Sequence, residues 1–287
     1  MASSQYARWH SKARRPRRSA RHPKATFVKQ YGIERTGTNV LRALLEGYVG
    51  DVVVLMHVLG DKHSPPVDLQ AVLSAVEGRP DAAMAFVTAA TQSAPSSTTD
   101  VPGDPRQVEH LRTLARDLYW AALEDEIRVA VSIRNPYEWT RSMLVYQGWI
   151  RWRASVVDPD RLAPVVSSLC DRFNSCYSAW LTLVAARSDG GAVVRYEDLT
   201  GDLDPLVERL ARALRLAGPV RAGARLPHVL GPAHWDDTRT VVVNVDFEQV
   251  SQSRRKLTPL PNRLLEVVTE RIDWQLVAPY GYAPMLA

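Results

Sequence analysis

Three short apolar runs, each of strand length and each separated from the next by segments of helical period, constrain this chain more than any other feature. Phe27 to Tyr31 and Ile127 to Ile133 (IRVAVSI) read as strands, and Val52 to Val58 (VVVLMHV) is continuous rather than alternating. That is the pattern of strands covered on both faces, as in a parallel sheet. Ala192 to Tyr196 predicts a further short strand, and Val241, Val243 and Val245 form an alternating segment. Helical spacing runs through Val40 to Tyr48, Val67 to Val76, Val108 to Ala122, Tyr137 to Trp152, Leu162 to Val184, Leu203 to Leu214 and Pro261 to Leu276, while Ala82 to Ala89 fits strand or helix. Strands alternating with helices predict an α/β fold, a mostly parallel central sheet flanked by helices. With 287 residues, 46% of them hydrophobic, and no internal repeat, residues 25–287 are expected to form one domain.

Residues 1–24 are different in kind. They hold Arg8, Lys12, Arg14, Arg15, Arg17, Arg18, Arg21 and Lys24 and no acid, so the formal charge of +5 belongs to this arm and the rest is net negative. Such an arm reads as a solvated, flexible terminus, the preferred reading, or as a contact for nucleic acid or an anionic surface. Neither a secretory h-region nor an apolar run of spanning length occurs, which predicts a cytoplasmic protein. Cys170 and Cys176 read as buried free thiols, and no CxxC or HExxH spacing supports a metal. Residues 91–105, rich in Ser, Thr, Pro and Gly, read as a loop long enough to cover a site.

Chemistry concentrates at two strand ends. The segment Gly32-Ile33-Glu34-Arg35-Thr36-Gly37-Thr38-Asn39 lies between a strand and a helix, where backbone N–H groups and the helix dipole make an anion site. Its glycine spacing is that of a Walker A loop, but Thr38 and Asn39 stand where lysine and a hydroxyl residue are required. Arg35 supplies a cation instead, and a plain helix start rich in Thr and Gly is the alternative. The second segment, Ser132 to Tyr146 (SIRNPYEWTRSMLVY), sets Arg134 at a strand end and Ser142 eight residues later on a helix. A forked guanidinium and a short hydroxyl suit a phosphate; the alternative is a surface pair between Arg134 and Glu138. Two phosphate motifs so far apart in the chain point to a nucleotide with two separated phosphate groups.

YGIERTGTNVL resembles the 5′-phosphosulfate loop of the PAPS-dependent sulfotransferases (PKSGTTW or PRSGTT), and RNPYEWTRSMLVY resembles their 3′-phosphate motif, RNPxDxxxSxY. Val193 to Leu199 is similar to their RYEDL segment, and Arg254-Arg255-Lys256 to their RKG loop with Leu257 in place of glycine. The resemblance implies a P-loop-containing, sulfotransferase-like fold that binds 3′-phosphoadenosine-5′-phosphosulfate (PAPS) and releases 3′,5′-ADP. It assigns Arg35, Thr36, Gly37, Thr38 and Asn39 to the 5′ end. Arg134, Ser142, Tyr196, Arg255 and Lys256 go to the remainder of the nucleotide, the last two being equally readable as a solvated charge run. Glu34 stands where the family has proline, tolerable only if its side chain points away.

Transfer to a hydroxyl calls for a base that takes the acceptor's proton, and histidine suits neutral pH. Asp61-Lys62-His63-Ser64-Pro65 resembles the family's KTHLP, one residue shorter between lysine and histidine, so His63 is the candidate base with Lys62 assisting. His57 is the competitor, read as a core histidine within the second strand. The expected partners are the nucleotide and a small or medium-sized acceptor, without metal or membrane span and with oligomerisation left open. Trp139, Tyr146, Trp149 and Trp152 line either an acceptor pocket or the core. A P-loop kinase or NTPase, disfavoured by Thr38, and a binding module using the basic arm for nucleic acid are the competing functions.

Overall fold

The computed structural model describes residues 25–91, 105–150, 158–187, 189–224 and 260–285. The basic arm, most of the 91–105 loop, Trp152, the alternating valines at 241–245 and Arg254 to Lys256 lie outside the described residues.

Four strands, β1 (Thr26–Tyr31), β2 (Val52–Leu55), β3 (Arg128–Ile133) and β4 (Gly191–Arg195), form an all-parallel sheet in the order β2-β1-β3-β4. Successive residues of a strand face opposite sides. Here the alternation splits the core in two. Val28, Val52, Val54, Ala130, Ala192 and Val194 pack on α1 (Thr38–Tyr48) and on a later helix, Leu203–Ala213. The alternate residues face the other way. Phe27, Val53 and Leu55 meet α2 (Leu69–Val76), α3 (Ala82–Thr91) and α4 (Pro105–Leu123). Tyr31, Val129, Val131 and Ile133 meet α5 (Pro136–Tyr146), α6 (Pro159–Ala185) and, beyond α7 (Leu203–Ala213), α8 (Asn262–Arg271) and α9 (Trp274–Val277). Helices on both faces explain why β2 (VVVL) reads as an unbroken apolar run.

Three boundaries depart from the sequence reading, and Ala82 to Ala89 resolves as helix. The second strand stops at Leu55, because the buried Lys29 ammonium donates to the carbonyls of Met56 (3.0 Å) and Gly60 (2.6 Å) and turns the chain. Met56, Val58 and Leu59 are buried in that turn, so their hydrophobicity reports burial rather than strand. His57 accordingly sits in the turn and not in a strand. The helix expected to reach Trp152 ends at Tyr146, with Gly148 at φ 77° just beyond it, a conformation that favours glycine and halts a helix. The final helix divides: Asn174 on α6 donates to the Arg271 carbonyl and accepts from the Asp273 N–H, and Asp273 caps the next turn.

Cys170 and Cys176 are buried free thiols, as expected, and among the described residues no helix is long and apolar enough to cross a membrane. Phe173 on α6 is fully buried and touches Trp139 and Tyr177, with ring centroids 5.2 and 4.3 Å away. Truncating it opens a cavity that rigid neighbours cannot fill. Phe173→Ala is expected to cost about 3–5 kcal/mol, read as a lower urea midpoint at unchanged slope.

Candidate functional site

The chain runs from β1 to β2 on one side and from β3 to β4 on the other, so the order reverses between β1 and β3. In open α/β sheets the loops leaving the carboxyl ends of the two central strands at such a reversal are the usual place for a ligand crevice. The segments carrying Arg35 and Arg134 are those two loops.

In the β1 loop, a Cβ at Gly32 would collide with Ser132 Oγ, and one at Gly37 (φ 85°) would lie 2.7 Å from Leu199 and 2.8 Å from Tyr196. Both glycines are therefore fixed by close approach. Arg35 holds a left-handed backbone (φ 70°), a strained choice for a side-chain-bearing residue. Thr36 turns inward: its hydroxyl donates to the Ile33 carbonyl (2.7 Å) and touches Ser132 Oγ (3.0 Å), so the side chain shapes the loop. Thr38 is buried, and its carbonyl accepts from Gln30. Helix α1 then starts at Gly37 with no side-chain cap and no acid in its first turn, leaving its N-terminal N–H groups for an anion.

The β3 loop meets it directly. Arg134 is 5% exposed; it donates to the Arg35 carbonyl (3.2 Å) and lies over the Tyr196 ring (4.3 Å). Its approach to Glu138 is looser, at 3.7 Å, and the arginine end of that pair is buried rather than on the surface. Arg35 Nε donates to Ser142 Oγ across 3.3 Å, and the same guanidinium covers Tyr146 (5.6 Å). Arg35, Arg134, Ser142 and Tyr196, drawn from three separate stretches of chain, thus form one cluster. Asn135 caps α5 through Tyr137 and Glu138.

A third loop, following β2, carries Asp61 to Ser64. His63 Nδ1 stands 2.5 Å from the Gly32 carbonyl, which can only accept, so Nδ1 carries the hydrogen and Nε2 of the neutral ring holds a lone pair. Burial and then the Lys62 charge push the His63 pKa below the ordinary histidine value, against the Gly32 bond and the Glu34 and Asp61 charges. Lys62 is itself buried and donates to Asn39 Oδ1 (2.9 Å), tying this loop to the first turn of α1. His57 is committed elsewhere, 2.8 Å from Asp61. Burial opposes ionisation of Asp61, but bonds from His57 and the His63 N–H outweigh it and hold the carboxyl well below its usual range.

Glu34 points away from the crevice, onto Arg172 of α6 at 2.9 Å, and is held ionised there although burial resists it. Trp139 is core, its indole N–H on the Glu34 carbonyl, whereas Tyr146 and Trp149 are exposed. Several positioning residues escaped sequence reading: Lys29, Ser132, Arg172, Trp180, whose indole holds the Ser64 carbonyl, and Tyr282, whose hydroxyl meets Glu197. Lys29 and Ser132 carried a signal, being polar groups inside apolar runs.

A buried imidazole that resists protonation makes stability pH-dependent. The unfolded chain takes up this proton near the ordinary histidine value of about 6.5, so the contribution is whole above that pH and declines as acid approaches the lower folded value. His63→Gln keeps a donor for the Gly32 carbonyl and removes the titration. Its urea midpoint should fall less than the parent's between about pH 7 and about pH 5; equal acid sensitivity would contradict a buried neutral ring. No protein-family model matches the chain, and no curated protein matches it in sequence.

Proposed function

We propose that the chain is a PAPS-dependent sulfotransferase that moves a sulfuryl group to a hydroxyl or amine of a small or medium-sized acceptor. The observation that supports this reading is the meeting of the β1 and β3 loops, with Arg35 reaching Ser142 at 3.3 Å and Arg134 holding the Arg35 carbonyl at 3.2 Å. A nucleotide with phosphate groups at both ends of one ribose suits that pairing. The fit to a 5′ anion rests on the uncapped, acid-free start of α1, and the fit to a 3′ phosphate on Arg134 and Ser142. Glu34, the residue least compatible with an anion, is turned onto Arg172.

The donor supplies an activated sulfur–oxygen bond. As the acceptor oxygen or nitrogen bonds to sulfur, the bond from sulfur to the bridging phosphate oxygen breaks and its electron pair leaves with 3′,5′-ADP. Arg35 and the N-terminal N–H groups of α1 neutralise the charge that grows on this phosphate. His63 takes the acceptor's proton at Nε2, since Nδ1 already donates to Gly32. Lys62, tied to Asn39, adds positive charge beside the base and favours its neutral form. Thr38 in the lysine position of a Walker loop speaks against a kinase.

The test is thermal stabilisation by 3′,5′-ADP without added magnesium, about 2.7 kcal/mol at a hundredfold excess over Kd. Arg134→Ala should abolish the shift; stabilisation by Mg-ATP alone would reverse the assignment in favour of a kinase. With labelled PAPS and a panel of phenols, alcohols and sugars, His63→Ala should lose about 10²–10⁴-fold in transfer while still binding 3′,5′-ADP.

A further inference from the structure

The loop bearing Arg134 does not hold itself in place. After β4 the chain continues through Tyr196 and Glu197, whose carboxylate has two hydrogen-bond partners, with the Arg195 guanidinium further off at 4.0 Å. One oxygen accepts the backbone N–H of Asn135 (3.1 Å), the residue beside Arg134; the other accepts the Tyr282 hydroxyl (2.5 Å). Tyr282 belongs to the segment after α9 and is 4% exposed, with the Arg195 guanidinium over its ring at 5.2 Å. Burial first and then the adjoining carboxylate raise its pKa, so it remains a phenol that donates. The same segment is fastened a second time, the Met285 N–H donating to the Tyr137 hydroxyl (2.9 Å), which also meets Thr269 (2.7 Å).

We infer that Glu197 and Tyr282 are positioning residues for Arg134, a latch from the C-terminal segment that sets the protein's discrimination for a nucleotide bearing a 3′ phosphate. The geometry runs in one direction. Tyr282 orients the Glu197 carboxylate, Glu197 fixes the Asn135 amide, and that amide fixes where the β3 loop turns. Tyr196, the neighbour of Glu197, has the Arg134 guanidinium over its ring, so one short stretch of chain holds both the arginine side chain and the backbone N–H that follows it. Neither Glu197 nor Tyr282 needs to touch the nucleotide. A bidentate contact from a guanidinium to a phosphate depends on angle, so small displacements of the arginine weaken it.

The inference rests on the proposed donor, and the experiment separates the two. Dissociation constants for 3′,5′-ADP and for 5′-AMP are measured by calorimetry on the full chain, the parent protein beside Tyr282→Phe and Glu197→Gln. The parent should prefer 3′,5′-ADP; without that preference the donor assignment itself fails, and the latch falls with it. Given the preference, each variant should lose about tenfold in affinity for 3′,5′-ADP, the scale of one hydrogen bond to a charged group, and stay within about twofold for 5′-AMP. KM for PAPS should rise with kcat unchanged. Equal losses for both nucleotides would mean a general loosening of the fold, and no loss for either would mean that Arg134 stands unaided; both overturn the latch while leaving the donor intact. Tyr282→Phe removes a single oxygen and keeps the buried ring, so it covers the case in which Glu197→Gln fails to fold.

Discussion

Gly32 joins all three loops of the crevice. Its N–H donates to the Lys62 carbonyl, its own carbonyl receives His63 Nδ1, and its Cα faces Ser132 so closely that no side chain fits between. A backbone group, unlike a side chain, cannot rotate away, so the imidazole and the β1 loop are referred to one rigid point. The other contacts depend on that. Thr36 meets Ser132 only because the β1 and β3 ends come together there, and Arg134 reaches the Arg35 carbonyl over the same seam.

Two buried lysines at this end of the sheet are satisfied in part by dipoles: Lys29 donates to two carbonyl oxygens and Lys62 to the amide oxygen of Asn39. Carboxylates are turned outward or sideways: Glu34 to α6, Asp61 to His57, Glu197 to Asn135 and Tyr282. Burying an ammonium or guanidinium costs less when dipoles satisfy its donors.

Much of this was legible in the chain because it is local. The apolar runs announced buried strands, and glycines, arginine and serine at fixed offsets announced loops at strand ends. What failed was local too, but ambiguous: VVVLMHV is equally hydrophobic in strand and in turn, and only the reach of Lys29 from the neighbouring strand decides that the second half bends. Gly148 carried the stop for α5 in plain view. The roles of Arg172, Trp180 and Tyr282 were beyond any pattern, since each is defined by a partner far away in the chain, as with Trp180 and Ser64 at a separation of 116 residues.

That remoteness bears on how the protein comes into being. Arg35 and Ser142 stand 107 residues apart, Thr36 and Ser132 96, Glu197 and Tyr282 85. Closing such distances is slow, because chain entropy is lost before any contact rewards it. During synthesis the β1 loop must wait for β3 to emerge, and Glu197 for the segment that carries Tyr282. A nascent chain released before Tyr282 would hold all four strands of the sheet while the Glu197 carboxylate still lacked that phenol.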